Sequence, residues 1–335
     1  MRVLLMLTGG TLLMRPRSDA AVTLAVDDGA RSRDLVRELP ALGRIAEIET
    51  RSLLNMDSAD LQPTQWIEIA RALHREVSSG AYGGIVVVHG TDTMAYTGSA
   101  LSLMLGPLPC PVVLTGAQRP LHEPRTDARR NLVDAVEVAT MGIPEVQVVF
   151  ASRSMRAVRV TKKDGWAFEA FESPSCAPLV ELGLDVQVGP HARWSKAPLF
   201  PLDDRLDTRV LSVRVFPGLD PALVTGALEA GVQGLVLEVY GTGTMPRLEG
   251  SLIGALEVAR DRGVPALLIS QCLRGRVELD RYQGGVEAAA AGAISGGDMT
   301  VEAALAKLMI GLARFGHGAE LRTWLETDQV GERSG

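Results

Sequence analysis

The sequence predicts a two-domain α/β protein: a larger N-terminal, flavodoxin-like domain with a mostly parallel sheet and flanking helices, then a smaller C-terminal α/β domain of about four parallel strands. Three observations predict it. At 335 residues the chain exceeds what one hydrophobic core usually organises. Its 35 glycines and 18 prolines supply many short connections, and aromatic residues are only 4% while aliphatic ones are plentiful. Continuous apolar runs alternate with stretches of helical periodicity, the pattern of βαβ units around a buried parallel sheet.

The first run, residues 3–7, reads as a core strand that ends in Thr8-Gly9-Gly10-Thr11. Residues 58–78 read as one helical region, with Trp66, Ile69, Ala70, Leu73 and Val77 close to helical spacing. The run 85–88 is a second core strand, followed by His89-Gly90-Thr91-Asp92-Thr93 and a helix over 94–105. Residues 112–115 and 146–151 continue the alternation, which places the first domain at residues 1–188. Residues 189–207, with Pro190, Pro198 and Pro201 among charged side chains and little periodicity, read as a linker. A second alternation over 208–335 has strands at 210–215, 234–239 and 266–270, and helices from about Pro221, Leu252 and Thr300.

The formal net charge of −6, with no concentrated basic stretch, argues against a nucleic-acid partner, because phosphate neutralisation needs clustered Lys and Arg. Cys110, Cys176 and Cys272 are far apart and lack metal-ligand spacing, so neither a disulfide framework nor zinc is indicated, and a reducing cytoplasm fits best. The opening apolar run stops at Thr8, short of a signal-peptide core. No stretch approaches the roughly 20 apolar residues of a membrane span.

Both threonine-bearing loops directly follow strand candidates, and open parallel sheets build their sites at the carboxyl ends of strands. Gly9-Gly10 alone leaves a structural turn and a functional loop open; the third glycine of a dinucleotide fingerprint is missing. Thr93 reads as an N-cap of the helix that follows. His89 reads as a hydrogen-bonded structural residue and receives no chemical role. A threonine nucleophile needs a base, because its hydroxyl is almost fully protonated at neutral pH. Lys162 is a candidate if burial disfavours its charge; spacing alone favours a solvated surface lysine.

Together these residues carry a family resemblance: the chain resembles the cytoplasmic, type I branch of bacterial L-asparaginases. The matching segments are Thr8-Gly9-Gly10-Thr11, Met56-Asp57-Ser58, the run from His89 to Thr97, Thr115-Gly116-Ala117-Gln118, Thr161-Lys162, Ala170-Phe171-Glu172-Ser173-Pro174, Tyr240-Gly241, Gln271-Cys272 and the run from Gly296 to Ala303. The match extends essentially end to end. It implies two-step hydrolysis of the side-chain amide of L-asparagine to L-aspartate and ammonia. Thr11 would be the attacking hydroxyl, and Thr91, Asp92 and Lys162 the proton-relaying group. Gly10, Asp57, Ser58, Thr91, Asp92 and Ala117 would line the substrate. Ser58 would hold its α-carboxylate, Asp92 its α-ammonium, and the backbone around Ala117 would face the amide. The resemblance implies no metal or organic cofactor, a small amino-acid amide as partner, and a homodimer or homotetramer.

The chain departs from the family pattern in four places. The family's loop tyrosine, about ten residues after the nucleophile, is absent, and Thr23 falls near its place. Ala59 follows Ser58 where a polar residue is common. Thr244 stands where asparagine is frequent, and Glu238 where an arginine would serve a second asparagine site. Two further readings stand beside the first: an amino-acid-binding or sensing protein with weak turnover, and an amidohydrolase for a different side-chain amide. An archaeal-type amidotransferase subunit would carry a further N-terminal domain, whereas this chain starts at its first catalytic strand.

Overall fold

A computed structural model describes residues 1–16, 24–25 and 34–334. They divide into two compact units, Met1–Asp204 and Arg205–Gly335. The first is built on an eight-stranded sheet. Its parallel part contains β1 (Arg2–Gly9), β2 (Glu47–Met56), β3 (Gly84–Val88), β4 (Val112–Thr115) and β5 (Val146–Phe150), in the spatial order β2-β1-β3-β4-β5. That is the flavodoxin strand order, in which the winding reverses between β1 and β3.

Every residue of β3, β4 and β5 is buried, which is why these strands read as largely apolar runs, and the two polar members, Thr115 and Gln147, are hydrogen-bonded to Val149 O and Ile143 O. On one face, Leu5, Val86 and Val113 pack in one cluster with Leu132, Ala135 and Val136 of α3 (Ala128–Thr140). Two further long helices of this unit are α1 (Pro63–Ser79) and α2 (Met94–Leu105), and the short helices Asp34–Glu38 and Leu42–Ile45 add Leu35 and Leu42 to the same cluster. α2 buries nearly its whole circumference, as its apolar and small side chains require. The helical region expected over 58–78 is two pieces. Ser58–Asp60 is a short 3-10 turn, and Gln62 is extended because the proline at 63 disfavours a helical residue before it. α1 then starts with a reciprocal Gln62/Gln65 capping box and stops at Gly80, whose φ of 63° suits glycine.

Beyond β5 the sheet turns antiparallel through β6 (Arg153–Arg156). The reversal is a tight two-residue turn in which Ala151 and Ser152 have φ of 48° and 60°. α3 braces it: Ala151 N–H donates to Asn131 Oδ1 at 3.1 Å and Ser152 Oγ to Asp134 at 2.8 Å. A small hairpin, β7 (Thr161–Lys162) with β8 (Phe171–Glu172), follows, and Phe171 meets Phe150 of β5 edge to face at 5.0 Å. β9 (Val180–Leu182) and β10 (Val186–Val188) complete the sheet. The segment after β10 runs along the first unit, where Glu145 accepts from Arg193 N–H while paired with the buried Arg156. The boundary between the units, at 204/205, lies within the 189–207 segment.

The second unit holds four parallel strands in sequence order: β11 (Val210–Arg214), β12 (Gly234–Val239), β13 (Ala266–Ser270) and β14 (Ile294–Ser295). Helices α4 (Pro221–Glu229), α5 (Ile253–Asp261), α6 (Gln283–Ala290), α7 (Val301–Phe315) and α8 (Ala319–Glu326) belong to it. Thr300 caps α7 by accepting from Ala303 N–H at 3.2 Å. Fully buried Lys307 of α7 bonds Glu332 at 2.5 Å and Thr327 O at 2.6 Å, fixing the C-terminal segment. Among the described residues no helix is long and apolar enough to cross a membrane.

Candidate active site

The site lies at the winding reversal, where the carboxyl ends of β1 and β3 meet. Thr8 Oγ1 donates to Val88 O at 2.9 Å, which holds the two strand ends together. Gly10, with φ of 86°, donates its N–H to Met56 O at 3.1 Å. A Cβ on Gly10 would collide with the backbone of His89 and Gly90, and one on Gly90 with Ser58 Oγ. Glycine at both positions lets three loops come into close contact. Thr11 opens a 3-10 turn over Thr11–Leu13 and is partly exposed.

On the β3 loop, Lys162 Nζ donates to Thr91 Oγ1 at 2.9 Å and to Asp92 Oδ1 at 2.6 Å. Thr91 Oγ1 donates onward to Gln118 Oε1 at 3.1 Å. Ser58 is buried, and its Oγ accepts the Asp92 N–H at 3.3 Å. Asp57 is the N-cap of the turn after β2, its carboxylate accepting the Ala59 N–H at 3.0 Å. Ala117 is buried on the loop after β4. Ser58, Thr91, Asp92 and Lys162 thus form one hydrogen-bonded group. Thr11 follows Gly10, whose backbone packs against that of Gly90, but among the described residues its hydroxyl bonds to none of the four. The Thr23 position, where the tyrosine is missing, lies outside the described residues.

Two residues of the β3 loop turn inward. Fully buried His89 bonds Gly90 O at 2.7 Å and Thr97 Oγ1 at 3.0 Å, and burial pushes its imidazole down to about 4. Thr93 does not cap α2 with its side chain, as the sequence leads one to expect. It occupies the N-cap position but its hydroxyl donates to Ser58 O at 2.8 Å, so the tie between loops takes the group a cap would use.

Three residues to which the sequence assigns no role hold the β4 loop. The Asp127 carboxylate accepts N–H groups from Gln118 at 3.0 Å and Arg119 at 3.1 Å, and Asn131 Nδ2 at 3.0 Å. Asn131 Nδ2 also donates to Gly116 O at 3.0 Å, fixing the backbone on either side of Ala117. Gln118 Nε2 donates to Ala167 O at 3.2 Å, linking this loop to the β7–β8 hairpin. The sequence signal for this scaffold is the Asp127, Asn131 pair at i, i+4 straddling the start of α3. In the second unit, Glu238 pairs with Arg214 at 3.5 Å and Thr244 Oγ1 donates to Tyr240 O at 3.3 Å.

A flavodoxin-order sheet with hydroxyl, lysine and carboxylate groups gathered at its switch point, followed by a second parallel α/β unit, defines a two-domain α/β protein whose polar cluster lies where such sheets place their sites. Its family follows from comparison. Residues 2–194 match the asparaginase N-terminal domain and residues 209–325 the glutaminase/asparaginase C-terminal domain. An L-asparaginase of Thermococcus kodakarensis is 39% identical, with 100% of each chain covered. The solved thermostable L-asparaginase from that organism superimposes with a TM-score of 0.91 at 37% identity, covering 100% of each chain. L-asparaginase I of Vibrio cholerae gives 0.89 at 32% identity over 99% of each chain. A glutamyl-tRNA(Gln) amidotransferase polypeptide of Pyrococcus abyssi is 33% identical over 97% of this chain and 75% of its own length. The chain belongs to the asparaginase family of amidohydrolases.

Proposed function

We propose that this protein hydrolyses L-asparagine to L-aspartate and ammonia through an acyl-enzyme on Thr11. The observation that carries the reading is the Lys162, Thr91, Asp92 hydrogen-bonded group beside the glycine-lined loop that bears Thr11. In the first step Thr11 Oγ attacks the side-chain amide carbon, and its proton passes through the Thr91 and Lys162 group to the departing nitrogen. The C–N bond breaks and ammonia leaves. Water then attacks the ester, returning a proton to Thr11 and releasing the carboxylate.

The substrate's own charges need partners in such a site. The Ser58 hydroxyl serves the α-carboxylate, and the Asp92 carboxylate, 61% exposed beside its lysine partner, serves the α-ammonium. The amide end then lies toward Ala117 and Gln118. Three unpaired cysteines agree with a cytoplasmic protein, and a homodimer or homotetramer is the assembly we propose. The test is ammonia release from L-asparagine by the intact protein and by Thr11→Ala. The expected result is turnover that the substitution abolishes; equal rates would overturn the nucleophile.

A further inference from the structure

Gln118 is a wall with two sides. Toward the candidate active site its Oε1 accepts from Thr91, and away from it its Nε2 donates to Ala167 O. Beyond that wall lies a cleft of about 540 Å³, contained in the first unit, between Gln118, Arg119 and Arg125 on one side and Gly165 to Phe168 on the other. This is the size range of small-ligand pockets.

The cleft has ordered walls and a charge bias. Asp164 accepts the N–H groups of Trp166 at 2.6 Å and Ala167 at 2.8 Å, so the acidic residue at the hairpin tip is spent on holding the turn. Arg119 is bonded to Glu123. Arg125 is exposed and has no acidic partner among the described residues. Trp166 is 95% exposed, a large apolar surface that water alone does not favour. An exposed aromatic face and a guanidinium with no acidic partner among the described residues, both lining one cleft, suit a ligand that is aromatic and anionic together.

We propose that this cleft receives the amine portion of an N-substituted asparagine, an anionic aromatic substituent that rests on Trp166 and pairs with Arg125. The inference rests on the amidohydrolase reading, which sets the α-groups at Ser58 and Asp92 and the amide at Ala117 and Gln118. Among the described residues Gln118 is the one lining residue of the cleft that also bonds the candidate site, and a substituent on the amide nitrogen enters the cleft by displacing its amide from Ala167 O. The chemistry is the same as for asparagine: Thr11 Oγ forms the ester, the C–N bond breaks, and the nitrogen takes the hydroxyl proton and leaves as the aromatic amine. Water then releases aspartate.

The experiment measures kcat/KM of the full chain for L-asparagine, for aspartic acid β-(4-carboxyanilide) and for the neutral, similarly sized β-(4-carbamoylanilide), whose amine is the better leaving group, so that a preference for the carboxylate is not a leaving-group effect. The expected result is a preference of about tenfold or more for the carboxylate over the carbamoyl anilide, the size of one charge-assisted contact. Arg125→Ala abolishes that preference by lowering the carboxylate anilide alone, and Trp166→Ala lowers both anilides. Equal kcat/KM for the two anilides, or an Arg125→Ala effect shared by all three substrates, overturns the proposal. Turnover of asparagine without turnover of either anilide overturns it while leaving the amidohydrolase reading intact. No turnover of any amide overturns both.

Discussion

Lys162 Nζ reaches Asp92 Oδ1 at 2.6 Å, although the two residues are 70 positions apart, and the same ammonium holds Thr91 Oγ1 at 2.9 Å. The pair sits on a short hairpin and a loop; Asp92 is 61% exposed and Lys162 20%. Such a pair adds about 1 kcal/mol at most to stability. Lys162→Met is therefore expected to leave the urea midpoint near that of the parent while lowering kcat for amide hydrolysis by roughly 10²- to 10⁴-fold, the range of a lost proton-transfer group. Lys162→Arg keeps the charge but not a transferable proton, and is expected to leave the rate low. Activity within about twofold of the parent in either variant would remove Lys162 from the relay.

Asp127 is expected to act through position. Its carboxylate fills three donors of the β4 loop and α3, so Asp127→Asn replaces an acceptor oxygen by an NH₂ facing N–H groups. Leaving such buried donors unmet costs about 1–3 kcal/mol. Urea unfolding should show that loss. In the fraction that stays folded, kcat should fall because Gln118 and the backbone beside Ala117 shift from the amide. A stability loss with unchanged kcat would make Asp127 purely structural.

The parallel core was legible because strands buried on both faces have to be nearly continuous apolar runs, as residues 85–88 and 112–114 are. β2 was not. It lies at the sheet edge with only partial burial, and its Glu47, Glu49 and Arg51 hide the strand pattern. No continuous apolar run marks this strand, although it completes the 2-1-3 reversal that sets the site between β1 and β3. Loops bearing hydroxyls after strands point to a crevice, which is why Thr11 and Thr91 stood out. Nothing in the local spacing of Lys162 brings it to Thr91. That placement comes from a two-residue ladder pinned by Phe171 against Phe150. Gln118, Asp127 and Asn131 were silent as individual residues because polar side chains that support a loop look like ordinary solvated ones until their partners are known.

In the second unit, the Lys307 and Glu332 pair is wholly buried, and Glu332 also accepts the N–H groups of Gln329 at 3.0 Å and Val330 at 2.9 Å. Lys307→Met strands a buried carboxylate and is expected to destabilise the protein by about 3–5 kcal/mol. The double variant Lys307→Met, Glu332→Gln removes the stranded charge while keeping an acceptor for the two N–H groups, and should recover part of that loss. Chemical denaturation of the three proteins checks it; a double variant no better than the single would show that packing, not charge, dominates there.

His89 gives a pH dependence with a definite sign. Burial lowers its imidazole from 6.5 to about 4, so the folded protein holds it neutral while the unfolded chain takes up a proton as the pH falls below 6.5. Stability from this residue is complete above pH 6.5 and is lost progressively toward pH 4, by roughly 3 kcal/mol in all. His89→Gln retains an amide for Gly90 O and Thr97 and cannot titrate. Its stability curve between pH 6.5 and 4 is expected to be flatter than the parent's by that share, whatever its absolute stability. Urea midpoints at about pH 7, 5.5 and 4.5 decide it: parallel curves for the two proteins would mean that His89 does not resist protonation in the fold.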